Sequence, residues 1–268
     1  MITASAPIDP NVLDLLKVAF SCPVVEGYGL TETSGGSSFT KIEDPVTGHV
    51  GGPTQCVKWR IMDVPEMSYL STDKPYPRGE LCMKGPAVCS GYYKRPDKTA
   101  EAFDKDGWFK TGDVVMAFPN GSVKVIDRSK NIFKLSQGEY IAPEKIENML
   151  ALSPMIAQSI IYGDSLRSCT VAIVVPNPDQ VKKFSEEKKI SQDEVHTDAT
   201  FKALVADDIK RIGIEQKLSG LEKPKDILIY NGTFSVENNL LTPTFKLKRN
   251  VARDFFKKEI DQMYSKLD

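Results

Sequence analysis

Apolar and polar positions change rhythm near residue 127. Up to that point apolar residues come in short, strand-like runs broken by glycine and proline. Residues 114–118 and 122–126 are two such runs, joined across Pro119, Asn120 and Gly121. An Asn-Gly pair between β-prone segments predicts a hairpin, because both residues tolerate positive φ. Beyond residue 131 helical and strand periods alternate. Pro143 is suited to open a helix whose Ile146, Met149 and Leu150 share one face, with Ser153-Pro154 closing it. Residues 156–162, 170–175 and 227–230 predict buried strands. Phe201, Leu204, Val205, Ile209 and Ile212 fall at helical spacing. Ala252, Phe256, Ile260, Met263 and Leu267 recur at steps of three and four, which predicts a single helix to the end of the chain.

Strands separated by helices predict a compact α/β module in the second region. Residues 127–131, Asp-Arg-Ser-Lys-Asn, form a polar run between the two rhythms. The run has no glycine or proline, so a hinge there is short and well defined.

Composition narrows the functions open to the chain. Charged residues make up 26% of the 268, with a formal net charge of -1, so no electrostatic argument favours nucleic acid. No apolar run approaches the roughly 20 residues that cross a bilayer, and no secretory signal is visible. Cys22, Cys56, Cys82, Cys89 and Cys169 lack C-x-x-C spacing and are odd in number, which reads as buried free thiols in a reducing compartment. His49 and His196 stand apart from them, so no metal-ligand cluster of histidine and cysteine is expected. Ser265-Lys266-Leu267 is followed by Asp268, which moves a peroxisomal address off the terminus; we read that near match as chance.

Candidate chemistry begins at Gly27-Tyr28-Gly29-Leu30-Thr31-Glu32-Thr33-Ser34, followed by Gly35-Gly36. Glycines allow close backbone approach, and the hydroxyls of Thr31 and Thr33 can donate to phosphate oxygens. Glu32 is a hard oxygen ligand suited to magnesium, and Tyr28 offers a face to a base. By itself this run is equally a strand entering a common glycine-rich loop.

A second run is far more specific. Asp106-Gly107-Trp108-Phe109-Lys110-Thr111-Gly112-Asp113 leads through the hairpin into Asp127-Arg128-Ser129-Lys130. It continues through Ile132-Phe133-Lys134-Leu135 to Gly138-Glu139-Tyr140-Ile141-Ala142-Pro143-Glu144-Lys145-Ile146-Glu147. This resembles the fatty acyl-CoA synthetase signature of the adenylate-forming, AMP-binding superfamily. Ser5-Ala6-Pro7, Gly79-Glu80-Leu81, Gly91-Tyr92-Tyr93 and Thr99 also fit that pattern, so the resemblance extends from residue 4 onward. It identifies the chain as similar to the carboxyl-terminal portion of a long-chain fatty acyl-CoA synthetase.

The resemblance implies an α/β fold. Residues 1–127 would be the end of the large AMP-binding domain, including a β-rich, barrel-like subdomain. Residues 128–131 would be a hinge, and 132–268 a small mobile domain. It also implies roles. Tyr28 would pack on adenine, with Gly29 beside it in the nucleotide site, Thr31 would bond the α-phosphate and Glu32 magnesium, while Asp113 would accept both ribose hydroxyls. Arg128 would contact ribose or phosphate with its fork of donors. Lys130 matches the hinge residue, Lys134 a lysine of the thioester-forming state, and Gly138 a position near the pantetheine arm. In Leu240-Leu241-Thr242-Pro243-Thr244-Phe245-Lys246-Leu247-Lys248, Lys246 best matches the adenylation lysine, with Lys248 the alternative. Phe245 departs from the usual glycine.

ATP or AMP, magnesium, coenzyme A and a fatty acid are the implied ligands, with the rest of the same enzyme as partner. The implied location is cytoplasmic, or the cytosolic face of a membrane such as the endoplasmic reticulum. The family's upstream serine-, threonine- and glycine-rich loop ending Pro-Lys-Gly does not occur in these 268 residues. Two expectations follow: an acid–thiol ligase whose present residues are inactive alone, or a non-catalytic nucleotide-binding or interaction fragment. Val12, Leu15, Leu16, Val24 and Val25 are then expected to lack packing partners.

Overall fold

A computed structural model describes residues 1–267. The chain divides into two compact units, residues 1–130 and 131–268. In the first, β1 (Ile2–Thr3) pairs in parallel with β2 (Val25–Tyr28) after the connecting helix α1 (Pro10–Ala19). Asp9 caps that helix through its carboxylate, and Pro10 opens it. β3 (Ser38–Phe39) and β4 (Gly52–Pro53) complete a sheet of order β1-β2-β3-β4.

A second sheet holds β5 (Lys58–Met62) and β6 (Arg78–Lys84). After the short helix α2 (Pro96–Ala102) it continues with β7 (Phe109–Ala117) and β8 (Val123–Arg128). It is antiparallel throughout and stays open, with order β5-β6-β7-β8, so the barrel-like expectation is corrected to two open sheets. Four strands leave β5 and β8 as edges, and no ladder joins them into a closed ring. The Asn-Gly hairpin forms. Gly121 takes φ +83°, its N–H donates to the Phe118 carbonyl at 3.0 Å, and Asn120 Oδ1 accepts from the Ser122 hydroxyl at 2.7 Å. Val50, Leu81, Met83, Val115 and Val123 form the core beneath, with Tyr28 and Trp59 against it.

The second unit opens with the small hairpin β9 (Phe133–Lys134) and β10 (Tyr140–Ile141), then α3 (Pro143–Leu150). β11 (Ile156–Tyr162) and β12 (Val171–Pro176) lead into α4 (Pro178–Lys188), α5 (Gln192–Val195) and α6 (Ala199–Glu215). β13 (Asp226–Ile229), α7 (Arg249–Phe255) and α8 (Lys257–Tyr264) follow. The sheet order is β11-β12-β13, with β12 antiparallel to β11 and parallel to β13.

Strand alternation sorts two cores onto its faces. Ile161, Ala172, Val174, Ile227 and Ile229 pack with Ile146, Leu150, Phe201 and Ile209 of α3 and α6. Ile160, Val171 and Ile173 pack with Phe256, Ile260, Met263 and Tyr264 on the other side. Every β12 residue is buried, as expected of a central strand covered on both faces.

Further sequence expectations change, among them the buried thiols: Cys56 is exposed, and Cys22 and Cys89 are half-buried. The terminal helix breaks at Phe256, so one helix becomes α7 and α8, and Leu267 lies past the end, exposed. Leu204 sits on the solvent side of α6, because Phe201, Val205, Ile209 and Ile212 already complete its buried stripe. Val24 is buried, whereas Val12 and Leu15 stand exposed on α1, as anticipated. Among the described residues no helix is long and apolar enough to cross a membrane.

Candidate functional site

β2 delivers Tyr28 to a loop that folds tightly on itself. A Cβ at Gly29 would lie 1.4 Å from the Gly35 carbonyl oxygen, so only glycine fits there. Thr31–Thr33 make one 3-10 turn, ended by Ser34 and Gly35 at positive φ. The Thr33 hydroxyl donates to the Leu30 carbonyl and accepts from the Leu30 N–H and the Ser37 hydroxyl. Thr33 is therefore a buried brace of the loop, not the phosphate donor its type suggested. Thr31 is exposed, and no side-chain partner engages its hydroxyl among the described residues.

Asp113 reaches the same region from β7, in register with Arg128 on β8. The Tyr28 hydroxyl donates to Asp113 Oδ2 at 2.5 Å, and Arg128 Nε stands 3.3 Å from Oδ1. Asp113 is 3% exposed, while the Arg128 side chain is about half open to solvent. Burial, and then the Asp113 charge, hold the Tyr28 phenol well above its ordinary pKa, so Tyr28 remains a donor. The strand around Asp113 is pinned as well. Thr111 Oγ1 donates to the Leu81 carbonyl and accepts the Asp113 N–H, and the Gly112 N–H donates to Glu80 Oε1. Glu80 is a support the sequence reading missed. Its carboxyl is raised, chiefly by burial.

Glu32 is half-buried beside Thr31. Its Oε1 accepts from the Tyr92 hydroxyl at 2.7 Å, and Oε2 has no hydrogen-bond partner among the described residues. Magnesium is commonly held by one or two carboxylates, with waters and substrate phosphates completing the shell. A single free carboxylate oxygen next to a free hydroxyl fits that habit. No group of three or more ligating side chains occurs among the described residues. Lys130, the last residue of the first unit, is exposed.

In the second unit Lys134 places Nζ 5.2 Å from the Tyr140 ring centre, and Gly138 turns the hairpin at φ +94°. The loop bearing Lys246 is a small hairpin of its own, closed by the Leu241–Leu247 bridge. The Thr242 N–H donates to the Lys246 carbonyl at 2.8 Å, and Phe245 takes φ +58° at the tip. Lys246 is exposed, with no side-chain partner among the described residues. Lys248 Nζ is tied to Asn239 Oδ1 at 2.5 Å.

The model of the AMP-binding enzyme family matches residues 1–93. The chain is 45% identical over its whole length to a peroxisomal long chain acyl-CoA synthetase 6 of Arabidopsis thaliana, spanning 38% of that protein. The chain is thus similar to AMP-binding enzymes over residues 1–93 and to a long chain acyl-CoA synthetase over its whole length. It is also 44% identical over 99% of its length to a human long-chain-fatty-acid–CoA ligase 6, again spanning 38% of the relative. Among solved AMP-binding structures it superposes on the adenylation domain of a Segniliparus rugosus carboxylic acid reductase in complex with AMP and a co-purified carboxylic acid. The TM-score is 0.84 at 34% identity, covering 100% of this chain and 39% of that one. The corresponding Mycobacterium chelonae domain gives 0.85 at 33% identity, covering 98% and 38%. The chain thus spans well under half the length of these relatives.

Proposed function

We propose that these residues are the nucleotide-binding and lysine-bearing portion of an ATP-dependent long-chain fatty acid–CoA ligase. Such an enzyme forms an acyl adenylate with release of pyrophosphate, then a CoA thioester with release of AMP. The observation that carries this reading is the meeting of Tyr28 with Asp113, 85 residues apart in sequence, beside the open guanidinium of Arg128. A carboxylate with two oxygens suits the pair of ribose hydroxyls, the role we assign to Asp113.

Thr31 donates to the α-phosphate, and Glu32 would hold magnesium, which would neutralise phosphate charge. Lys246, unencumbered at a loop tip, sets its charge against the fatty acid carboxylate and α-phosphate as pyrophosphate leaves. Lys130 serves as the hinge between half-reactions, a role supported by its place at the unit boundary. Lys134 and Gly138 then face coenzyme A. Five free thiols favour a reducing location, cytoplasmic or on the cytosolic face of a membrane.

Calorimetric titration of the purified chain with AMP tests the reading. Asp113→Ala should weaken AMP by at least about tenfold, the size of one lost charged hydrogen bond. Unchanged affinity returns Asp113 to a structural role. No AMP binding by the parent chain favours a non-catalytic interaction fragment.

A further inference from the structure

The 85–99 segment is built around one side chain that the proposed chemistry does not use. Gly91 takes φ +144°, and a Cβ there would lie 2.6 Å from Thr99 Cγ2, so the turn closes only with glycine. The Tyr92 N–H donates to Thr99 Oγ1 at 2.9 Å, and the Tyr92 carbonyl accepts from the Arg95 N–H at 3.1 Å. With its backbone held at both ends, Tyr92 sends its hydroxyl 2.7 Å from Glu32 Oε1. Two further bonds fasten the segment to the Thr31–Thr33 turn. The Cys89 N–H donates to the Glu32 carbonyl at 2.8 Å, and the Ser34 hydroxyl to the Ala87 carbonyl at 2.9 Å.

We propose that Tyr92 is a positioning residue that sets divalent-cation preference: by donating to Oε1 it orients the Glu32 carboxylate and draws charge from that oxygen, so that Oε2 is the stronger donor to a metal ion. The inference rests on the reading of Glu32 as the metal ligand. Magnesium takes carboxylates through one oxygen in a strict octahedron and keeps its waters. Calcium accepts six to eight oxygens and gains from bidentate carboxylates. A carboxylate polarised toward one oxygen therefore suits the smaller ion, and one with two equivalent oxygens suits the larger.

The test titrates the purified 268-residue chain with ATP in the presence of Mg2+, of Ca2+, or of EDTA, for the parent, Tyr92→Phe and Glu32→Gln. Tyr92→Phe should lower the ratio of Mg-ATP to Ca-ATP affinity by roughly tenfold, the effect of one charged hydrogen bond. Its metal-free ATP affinity should stay at the parental value, whereas a merely structural role would weaken ATP equally with and without metal; the melting temperature should fall only by the loss of one hydrogen bond. Glu32→Gln should remove the metal dependence for both ions. An unchanged Mg/Ca ratio in Tyr92→Phe, with metal dependence lost in Glu32→Gln, overturns the role of Tyr92 and leaves Glu32 as ligand. Metal dependence that survives Glu32→Gln, or its absence from the parent chain, overturns both.

Discussion

The two units hold their charged groups in contrasting ways. In residues 1–130 the carboxylates proposed for nucleotide and metal chemistry are already paired. Asp113 is buried between Tyr28 and Arg128, and Glu32 is held by Tyr92. In residues 131–268 the buried charges do structural work, and the candidate catalytic cation stands apart from them. Arg249 grips Glu147 through two guanidinium nitrogens, one at 2.9 Å, and Glu147 also accepts the Ile161 N–H. That bidentate pair anchors the start of α7 to α3, three residues beyond Lys246. The base of the lysine loop is thus fixed while its tip is free. Groups that recognise a ligand of constant shape gain from being held in place beforehand. A group needed in only one of two half-reactions gains from having no partner to leave.

The largest effect should separate the two lysines of that loop. In a full-length ligase carrying these residues, Lys246→Ala should slow adenylate formation by about 100-fold or more, the scale for removing one preorganised donor to developing charge. Thioester formation from preformed acyl adenylate should largely survive. Lys248→Ala should cost far less, since Lys248 is committed to Asn239. Half-reaction kinetics check both, and a larger loss at Lys248 would break the contrast between free tip and fixed base.

How much of this was legible in sequence depended on how local the cause was. The hairpin at Asn120-Gly121 and the start of α3 at Pro143 follow from the conformational limits of one or two residues. The break at Phe256 was hidden because the apolar spacing runs through it undisturbed: Ala252, Phe256 and Ile260 are buried on both sides of the interruption. Thr33 and Thr31 look alike as hydroxyls, and only the folded loop decides which is consumed. Tyr92 stood within a recognised motif, but its partner lies 60 residues away, beyond the reach of any periodicity. The open second sheet was misjudged because closure depends on how edge strands pair, and short runs carry no sign of that.

An intermediate effect probes whether burial in the first unit always comes with pairing. Glu26 lies on β2, two residues before Tyr28, and its Oε2 has no hydrogen-bond partner among the described residues. Burial pushes its carboxyl up from 4.5 to about 7, against the opposing pull of Lys124 and Lys17. A raised folded-state pKa means the group's contribution is complete below about pH 4.5 and is lost as pH rises through 7. Glu26→Gln removes that slope. The variant should gain on the order of 2 kcal/mol over the parent at pH 8, less than full conversion of the shift because nearby lysines and solvent screen it, and almost nothing at pH 4.5. Denaturant melts of the chain at the two pH values measure the difference, and equal gains at both would mean that Glu26 is not held neutral by burial.

The smallest effect concerns the tip of the lysine loop. Phe245 sits at φ +58° and is 76% exposed, so the ring has little packing to lose and the backbone carries a conformation that disfavours a Cβ. That conformation costs about 1–2 kcal/mol for an ordinary residue. Glycine removes the cost but gives back roughly 0.5–1 kcal/mol through the freedom it adds to the unfolded chain. Phe245→Gly should therefore stabilise the second unit by no more than about 1 kcal/mol. Phe245→Ala keeps the Cβ and loses only the ring, so it should match the parent. Thermal melts of the three proteins decide between strain and packing. A glycine variant more stable than the alanine variant locates the cost in the backbone. Equal losses in both would instead mean that the Phe245 ring packs in solution, and the loop tip would then be as firmly held as its base.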